Sequence, residues 1–279
     1  IRDLLPDGSI RDTTRLVLTN AIYFNGKWKY KFDEDATREE LFYSADGTAA
    51  QVEMMFQKER FRYGKFDGFQ LLEMPYAGDD LSMVVMLPDA MDGLPALEAS
   101  LTPDLLENSL AAMWERDVLV HLPKFKFEAT FGLRGTLQDM GMVDAFENAD
   151  FSGIGDAALA ISNVLHKAFI DVNEAGAEAV ATTAVIIRAM DLCLNCSPPP
   201  PPVFRADHPF LFALRDTHSG SLMFLGRVTQ PGESEIGQFA SVPEPGTALL
   251  VAFGLVLGVK TSPSHRRSNL RGDRRLACR

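Results

Sequence analysis

Cysteine is scarce in this chain of 279 residues: Cys193, Cys196 and Cys278 are all there are. Three thiols cannot build the disulfide framework of a small secreted scaffold. Cys193 and Cys196 form a C-x-x-C, but structural zinc takes four ligands and no second pair exists. A thioredoxin-like site needs a helix N-terminus, which the prolines from Pro198 onward deny. A local disulfide, or two free thiols, is what remains. Long apolar runs are also missing. The run 246–259 has 14 residues, short of the roughly 20 that cross a bilayer comfortably. The chain opens Ile1-Arg2-Asp3-Leu4-Leu5-Pro6, without Met and without the pattern of a signal peptide. No G-x-S-x-G nucleophile elbow occurs. His121, His208, His218 and His265 show no metal-ligand spacing. Ser162 and His166 lie on one strand and share a face, but no nucleophile motif accompanies them. No enzyme, metal or cofactor is expected.

What is present is an ordinary globular composition, 46% hydrophobic and 23% charged. The formal net charge is −11. Lys260, Arg266, Arg267, Arg271, Arg274, Arg275 and Arg279 crowd the end, so the body is more acidic than the total suggests. An acidic body argues against nucleic acid as a partner.

Leu16 to Phe24 is a β-branched and aromatic run ending at the turn dipeptide Asn25-Gly26. Gln51–Phe56, Phe61–Tyr63, Gln70–Pro75 and Leu81–Leu87 read as strands of a meander. Asp67-Gly68 and Gly78-Asp79-Asp80 are turns between them. Leu94–Ser100 and Pro103–Met113 read as helices, with Thr102 as N-cap and Pro103 in the first turn. Asp117–Phe127 reads as strand, Phe131–Met140 as a helix ending at Gly141, and 148–155 as loop. Leu159–Val172 is a long strand. Val203-Phe204, Pro209–Leu214 and Ser221–Val228 close the pattern. Strands outnumber helices and the two kinds come in blocks, so the class is α+β.

The most informative stretch is Asp171–Met190, DVNEAGAEAVATTAVIIRAM. Glu174-Ala175-Gly176 reads as a hinge, because Gly tolerates backbone angles other residues avoid. On one face of an extended chain lie Ala177, Ala179, Ala181, Thr183, Val185 and Ile187; Glu178, Val180, Thr182, Ala184, Ile186 and Arg188 lie on the other. The first face is small and apolar, fit for the middle of a sheet. Yet Pro198–Pro202 follow, and proline does not sit inside a sheet. A loop with the pattern of a central strand resembles the reactive-centre loop of the serpins, the serine protease inhibitor family. Other segments are similar to that family in the same order: Leu18–Trp28 (LTNAIYFNGKW), Ile161–Phe169 (ISNVLHKAF), Phe204–Phe210 (FRADHPF) and Leu222–Val228 (LMFLGRV). Together they cover about residues 1–231.

The resemblance implies a serpin-like fold of large mixed and antiparallel sheets, a few helices and an exposed loop over about 174–202. It also implies that the chain begins partway through the fold, without the family's N-terminal helical part. The implied function is inhibition of serine proteases, with cysteine proteases as a further target class, by a suicide-substrate route. The protease cuts the loop, and the freed part inserts as a new strand. Counting from Gly176 at the family spacing puts the reactive bond at Met190–Asp191. Met suits elastase-, chymotrypsin- or subtilisin-like pockets. The segment from Gly176 to Phe204 is a few residues longer than usual, so Arg188, which suits trypsin-like proteases, stands as the rival. The hinge would be Glu174, Gly176, Ala177, Glu178, Ala179, Val180, Ala181, Thr182 and Thr183. Asn20 and His166 would lie where the sheet opens. Ala177 and Val180 depart from the usual Thr and Ala; neither is a charge or a proline. The alternative is a non-inhibitory serpin-like fragment acting at most as a binding protein.

From Gly232 the globular pattern stops. Residues 232–241 read as a linker. Pro243-Glu244-Pro245, the apolar run 246–259 and the basic end resemble the bacterial PEP-CTERM sorting signal. That resemblance implies an exported bacterial protein, extracellular or in the cell envelope, transiently anchored in a membrane and handled by sorting machinery.

Overall fold

The structure, a computed structural model, describes residues 5, 10–12, 14–44, 46–154, 159–175 and 199–231. The first strand, β1 (Leu16–Phe24), is the run expected from its β-branched and aromatic residues. Gly26 follows where space is short: a Cβ there would lie 2.7 Å from the Tyr76 ring. A short 3-10 turn over Glu34–Ala36, capped by the Asp33 carboxylate, leads into β2 (Arg38–Tyr43). β2 was not expected, since Arg38-Glu39-Glu40 carry no apolar alternation. It forms because its backbone pairs with β3 (Ala49–Phe66) from Arg38↔Met54 to Tyr43↔Ala49.

β3 is a single 18-residue strand, where the sequence suggested two. The polar Gln57-Lys58-Glu59-Arg60 interrupts the hydrophobic pattern but not the hydrogen-bond ladder. That stretch pairs with β6 (Trp114–Pro123), Lys58 opposite Leu119 and Arg60 opposite Asp117, with both basic side chains exposed. β4 (Phe69–Pro75) and β5 (Leu81–Pro88) complete the expected meander, turning at Gly68 and at Gly78-Asp79, which all have positive φ. α1 (Leu94–Ser100) and α2 (Pro103–Ala112) follow as read. The Thr102 hydroxyl accepts the Leu105 N–H at 3.1 Å, a true N-cap.

The expected strand Asp117–Phe127 is in fact two. β6 ends at Pro123, and β7 (Phe125–Gly132) starts after Lys124 in a different sheet. β7 takes Phe131 and Gly132, so the helix expected from Phe131 shrinks to α3 (Arg134–Asp139). A short α4 (Asp144–Glu147), unforeseen, buries Phe146. β8 (Ile161–Val172), β9 (Val203–Arg205), β10 (Phe210–Asp216) and β11 (Leu222–Val228) are the remaining strands.

Two sheets result. One is three-stranded, in the order β1-β8-β7; the other has eight strands, β11-β10-β5-β4-β3-β6-β9 with β2 beside β3. The main core lies between them. Phe125 and Phe127 of β7 meet Phe212 of β10 at centroid distances of 5.2 and 6.4 Å, and Met54, Met55, Leu72, Val85, Ile170 and Phe204 are all buried there. Helices α1 and α2 cover a second cluster built on Leu71, Val84, Met86 and Leu211. The fold is α+β, as the blocks of strand and helix implied. Among the described residues no helix is long and apolar enough to cross a membrane.

Candidate functional site

β8 is the element that carries the loop. It lies between β1 and β7, parallel to β1 and antiparallel to β7. The register with β1 runs from Leu16↔Ile161 to Phe24↔Ile170, with one shift that leaves Ser162 opposite no residue of β1. The Ser162 hydroxyl accepts the Arg15 N–H at 3.0 Å, a structural bond. Asn20 and His166, expected at the sheet opening, stand directly opposite one another in the parallel pair. The His166 ring stacks on Phe131 of β7 at 6.2 Å. It is 3% exposed, and its Nε2 has no hydrogen-bond partner among the described residues. Burial pushes its pKa down, so the ring is neutral near pH 7.

At its C-terminal end β8 runs into Asn173-Glu174-Ala175, the root of the loop. Each residue of that root is held. The Trp28 indole N–H donates to the Asn173 carbonyl at 2.8 Å, and the Phe32 N–H donates to the Glu174 carbonyl at 3.2 Å. The Asn173 side chain accepts the Ala175 N–H at 3.2 Å. Glu174 is 7% exposed, and its carboxylate is the buried partner of two groups. It accepts a hydrogen bond from the Thr37 hydroxyl at 2.7 Å and pairs with Lys124 Nζ at 2.8 Å. Lys124 also meets Glu53 at 3.0 Å. Burial alone would raise the Glu174 pKa, but the bonds from Lys124 and Thr37 outweigh it and hold the carboxyl below its usual range. Burial likewise works against the Lys124 ammonium, and its two carboxylate partners raise its pKa on balance.

Lys124 is the residue at which the chain changes sheets, between Pro123 of β6 and Phe125 of β7. It therefore ties the loop root to both layers. Sequence reasoning missed Lys124, Thr37 and Glu53. No local motif marks them, since Thr37 and Lys124 meet Glu174, and Glu53 meets Lys124, only through packing between segments distant in sequence.

The far root lies in the other sheet. Leu119 N–H donates to the Pro202 carbonyl at 2.9 Å, and β9 then pairs in parallel with β6 from Leu119↔Val203. Arg205 of β9 makes a salt bridge with Glu40 of β2 and touches the His121 ring at 3.3 Å. In the FRADHPF segment, His208 has an acceptor on each ring nitrogen: Asp207 at 2.8 Å from Nδ1 and the Pro88 carbonyl at 2.7 Å from Nε2. Burial works against its charge, yet these two acceptors raise its pKa overall.

Gly176, Ala177, Glu178, Ala179, Val180, Ala181, Thr182 and Thr183 of the expected hinge lie outside the described residues, as do Arg188, Met190 and Asp191. So do Cys193, Cys196 and all residues from 232 on. Among the described residues no cluster of His, Cys, Asp and Glu could hold a metal.

The geometry defines a two-sheet α+β domain in which one long connection leaves the small sheet at Ala175 and re-enters the large one at Val203. The serpin family model, described as serine protease inhibitor, matches residues 1–231, and the chain belongs to the serpin family. It is 43% identical over 237 residues to human antithrombin-III, covering 83% of this chain and 50% of that protein. It is 44% identical over 238 residues to human Serpin B3, covering 83% and 60%. An uncharacterized serpin-like protein of Methanosarcina acetivorans is 42% identical over 238 residues, covering 84% and 55%. Among solved structures, uncleaved ovalbumin superposes with a TM-score of 0.72 at 34% identity, covering 83% of this chain and 58% of that one. The chain thus spans 50–60% of the length of these curated relatives.

Proposed function

We propose that this serpin inhibits serine proteases as a suicide substrate, with its loop cut near Met190–Asp191, or at Arg188 by a trypsin-like enzyme. Cysteine proteases are a further target class. One observation carries the reading: β8, which leads into the loop, is paired directly and in parallel with β1. A strand that turns back after β8 must run antiparallel to it, and so antiparallel to β1 as well. Entering between them, it would replace one parallel ladder by two antiparallel ones, which are slightly stronger per residue. A four-residue turn over 173–176 would set Ala177 opposite Val172, Ala179 opposite Ile170, Ala181 opposite Ala168 and Thr183 opposite His166. Val172 and Ile170 belong to the core between the sheets, so the loop's small face would be the buried one. Glu178 would point the other way, at no desolvation cost.

The two roots lie in different sheets, so a cut loop separates cleanly. The part on β8 is free to insert, while the part on β9 stays with the large sheet. The ties at Asn173 and Glu174 supply a fixed pivot for the turn. Asn20 and His166 sit at the middle of the pair that would have to part. The chain is not an enzyme in this reading; any protease chemistry belongs to the target.

The test is incubation with a panel of proteases. The expected result is a covalent complex that survives SDS, formed with a protease whose pocket accepts Met or Arg. Cleavage of the loop with no complex would overturn inhibition. It would leave the second reading, a serpin-like binding protein that is cut as an ordinary substrate. One observation favours that alternative: β1, one wall of the slot, is largely exposed from Leu18 to Ala21 and gives an inserted strand little packing on that side.

We also propose that residues 242–279 act as a PEP-CTERM-like sorting signal, so that the protein is exported in a bacterium, briefly held at the membrane by 246–259 and trimmed by processing machinery. The order of Pro-Glu-Pro, apolar run and basic end supports this. Mass spectrometry of the secreted form tests it: an intact C-terminus at Arg279 would refute processing.

A further inference from the structure

We propose that His121 is an acid-sensitive clasp on the far root of the loop. Charging its ring loosens β9 from β6, while the near root at Asn173–Ala175 stays fixed. The clasp acts on the uncut loop, whether or not the protein goes on to inhibit a protease.

Among the described residues β9 is the shortest strand, three residues paired in parallel with β6, and parallel ladders are the slightly weaker kind. Two printed backbone bonds close its ends: the Leu119 N–H donates to the Pro202 carbonyl and the Ala206 N–H to the His121 carbonyl, each at 2.9 Å. Arg205 adds a side-chain hold. It forms a salt bridge with Glu40 of β2 and lies 3.3 Å from His121 Nε2. A guanidinium can only donate, so Nε2 must carry the lone pair and the one ring hydrogen sits on Nδ1. That Nδ1 is buried and has no hydrogen-bond partner among the described residues; Glu40 Oε1 is 3.8 Å away, too far to accept. The bond from Arg205 therefore requires a neutral ring.

A second proton lands on Nε2, facing the guanidinium. The bond from Arg205 is lost and a like-charge contact replaces it. Glu40 is then shared between two cations and is drawn from Arg205 toward Nδ1. The charged groups facing His121 are Glu40 from β2, Arg205 of β9 and Asp207 just after it; Lys58 of β3 lies one pair along, opposite Leu119. The Phe56 ring of β3, at 4.9 Å, is uncharged. Burial and Arg205 push the His121 pKa down, and Glu40 and Asp207 recover only part of the shift. Once β9 lifts away, the ring meets water and titrates near its ordinary 6.5. The open form takes up its proton first, so opening is favoured as pH falls below 6.5 and levels off when the closed form titrates. His208 works the other way: its raised pKa strengthens its bonds to Asp207 and Pro88 in acid. With the Tyr43 N–H on the Asp207 carbonyl at 2.8 Å, it limits the opening to residues before 207. The Glu174–Lys124 pair persists through this range, since the Glu174 carboxyl titrates below 4.5. Mild acid thus loosens one end of the loop and not the other. Phe204 is fully buried and resists the opening, so the open form is a small fraction. Hydrogen exchange is the measurement that detects it.

The test is amide hydrogen exchange of the 279-residue chain, resolved to single amides and corrected for the pH dependence of the intrinsic rate. Between about pH 7.5 and about pH 5, the Leu119 and Ala206 amides should lose protection by about tenfold or more, the effect of one lost charge-assisted hydrogen bond. The Phe32 amide, bonded to the Glu174 carbonyl at the near root, should keep its protection. In His121→Gln the carboxamide oxygen still accepts from Arg205 and takes up no proton, so neutral protection stays and the acid step disappears. In Arg205→Gln protection is lower from the start, and the step shrinks because no guanidinium faces the charged ring. His208→Gln keeps the step. A wild type equally protected at both pH values overturns the proposal, as does a loss shared by Phe32, which would be global destabilisation. So does a step that survives in His121→Gln, or one that His208→Gln removes. The wild-type ring gives a reading free of any variant: by NMR, His121 must titrate below 6.5, and a midpoint above it overturns the clasp.

Discussion

Replacing Glu174 by Gln removes the charge from the root of the loop while keeping the side chain's shape. Glu174 is 7% exposed, and its carboxylate lies 2.8 Å from Lys124 and 2.7 Å from the Thr37 hydroxyl. Breaking a fully buried pair costs about 3–5 kcal/mol. Here Lys124 is 28% exposed and keeps Glu53 at 3.0 Å, so the remaining charge is not stranded. Gln can still bond Thr37. What is lost is one charge-assisted hydrogen bond, about 1.5–3 kcal/mol, and we expect about 2 kcal/mol from urea unfolding of Glu174→Gln. Lys124→Met should cost a similar amount. The double variant tests the contact itself. If the pair is coupled, the two losses fail to add by about 1–2 kcal/mol, whereas uncoupled sites add to within about 0.5 kcal/mol. Additive losses would refute the assignment of Lys124 as the anchor of the root. The pH dependence carries the same information. The Glu174 pKa is held below its ordinary 4.5, so its contribution is present above that pH and is lost as pH falls through the lower folded value. Glu174→Gln should flatten the acid limb of the stability profile, and the neutral plateau should drop.

Other expectations follow from the same reading. His208 has its pKa raised from 6.5 by Asp207 and the Pro88 carbonyl, with Asp89 adding to the effect. Its contribution is full below 6.5 and is lost as pH rises through the folded pKa, so above pH 6.5 wild type should weaken in chemical denaturation more than His208→Gln does. Glu73 is 6% exposed, takes salt bridges from Arg62 and Arg215 and accepts the Ser82 hydroxyl at 2.7 Å. Glu73→Ala leaves two guanidiniums facing each other and should cost about 3 kcal/mol in urea unfolding; a loss under about 1 kcal/mol would show that water replaces the carboxylate. Ala181→Pro puts a residue without an N–H in the middle of the inserting segment. The loop should be cut at the wild-type rate while SDS-stable complex falls by about tenfold or more, as two-antiparallel-ladder insertion requires. Undiminished complex would mean that insertion stops short of residue 181.

Features that neighbouring residues decide could be read directly from the chain. The β-branched run of β1, the apolar runs of β4, β5 and β10, the Thr102 cap and the turns at Gly68 and Gly78 are set by residues a few positions apart, and each was legible. So was the family membership, since LTNAIYFNGKW, FRADHPF and the small alternating face after Gly176 are contiguous motifs. Tertiary structure decided the rest. Gln57–Arg60 is polar and reads as a break, yet it stays in β3 because β6 supplies its hydrogen-bond partners from far along the chain. The strand read through Pro123 to Phe127 divides there because each half completes a different sheet. The root of the loop is held by residues with no signature of their own. Trp28 reaches the Asn173 carbonyl across 145 positions, and Lys124 meets Glu174 only because the sheet switch delivers it there. Hydrophobic period and turn chemistry act over a few residues, but a buried charge is assigned its partner by where the strands finally lie.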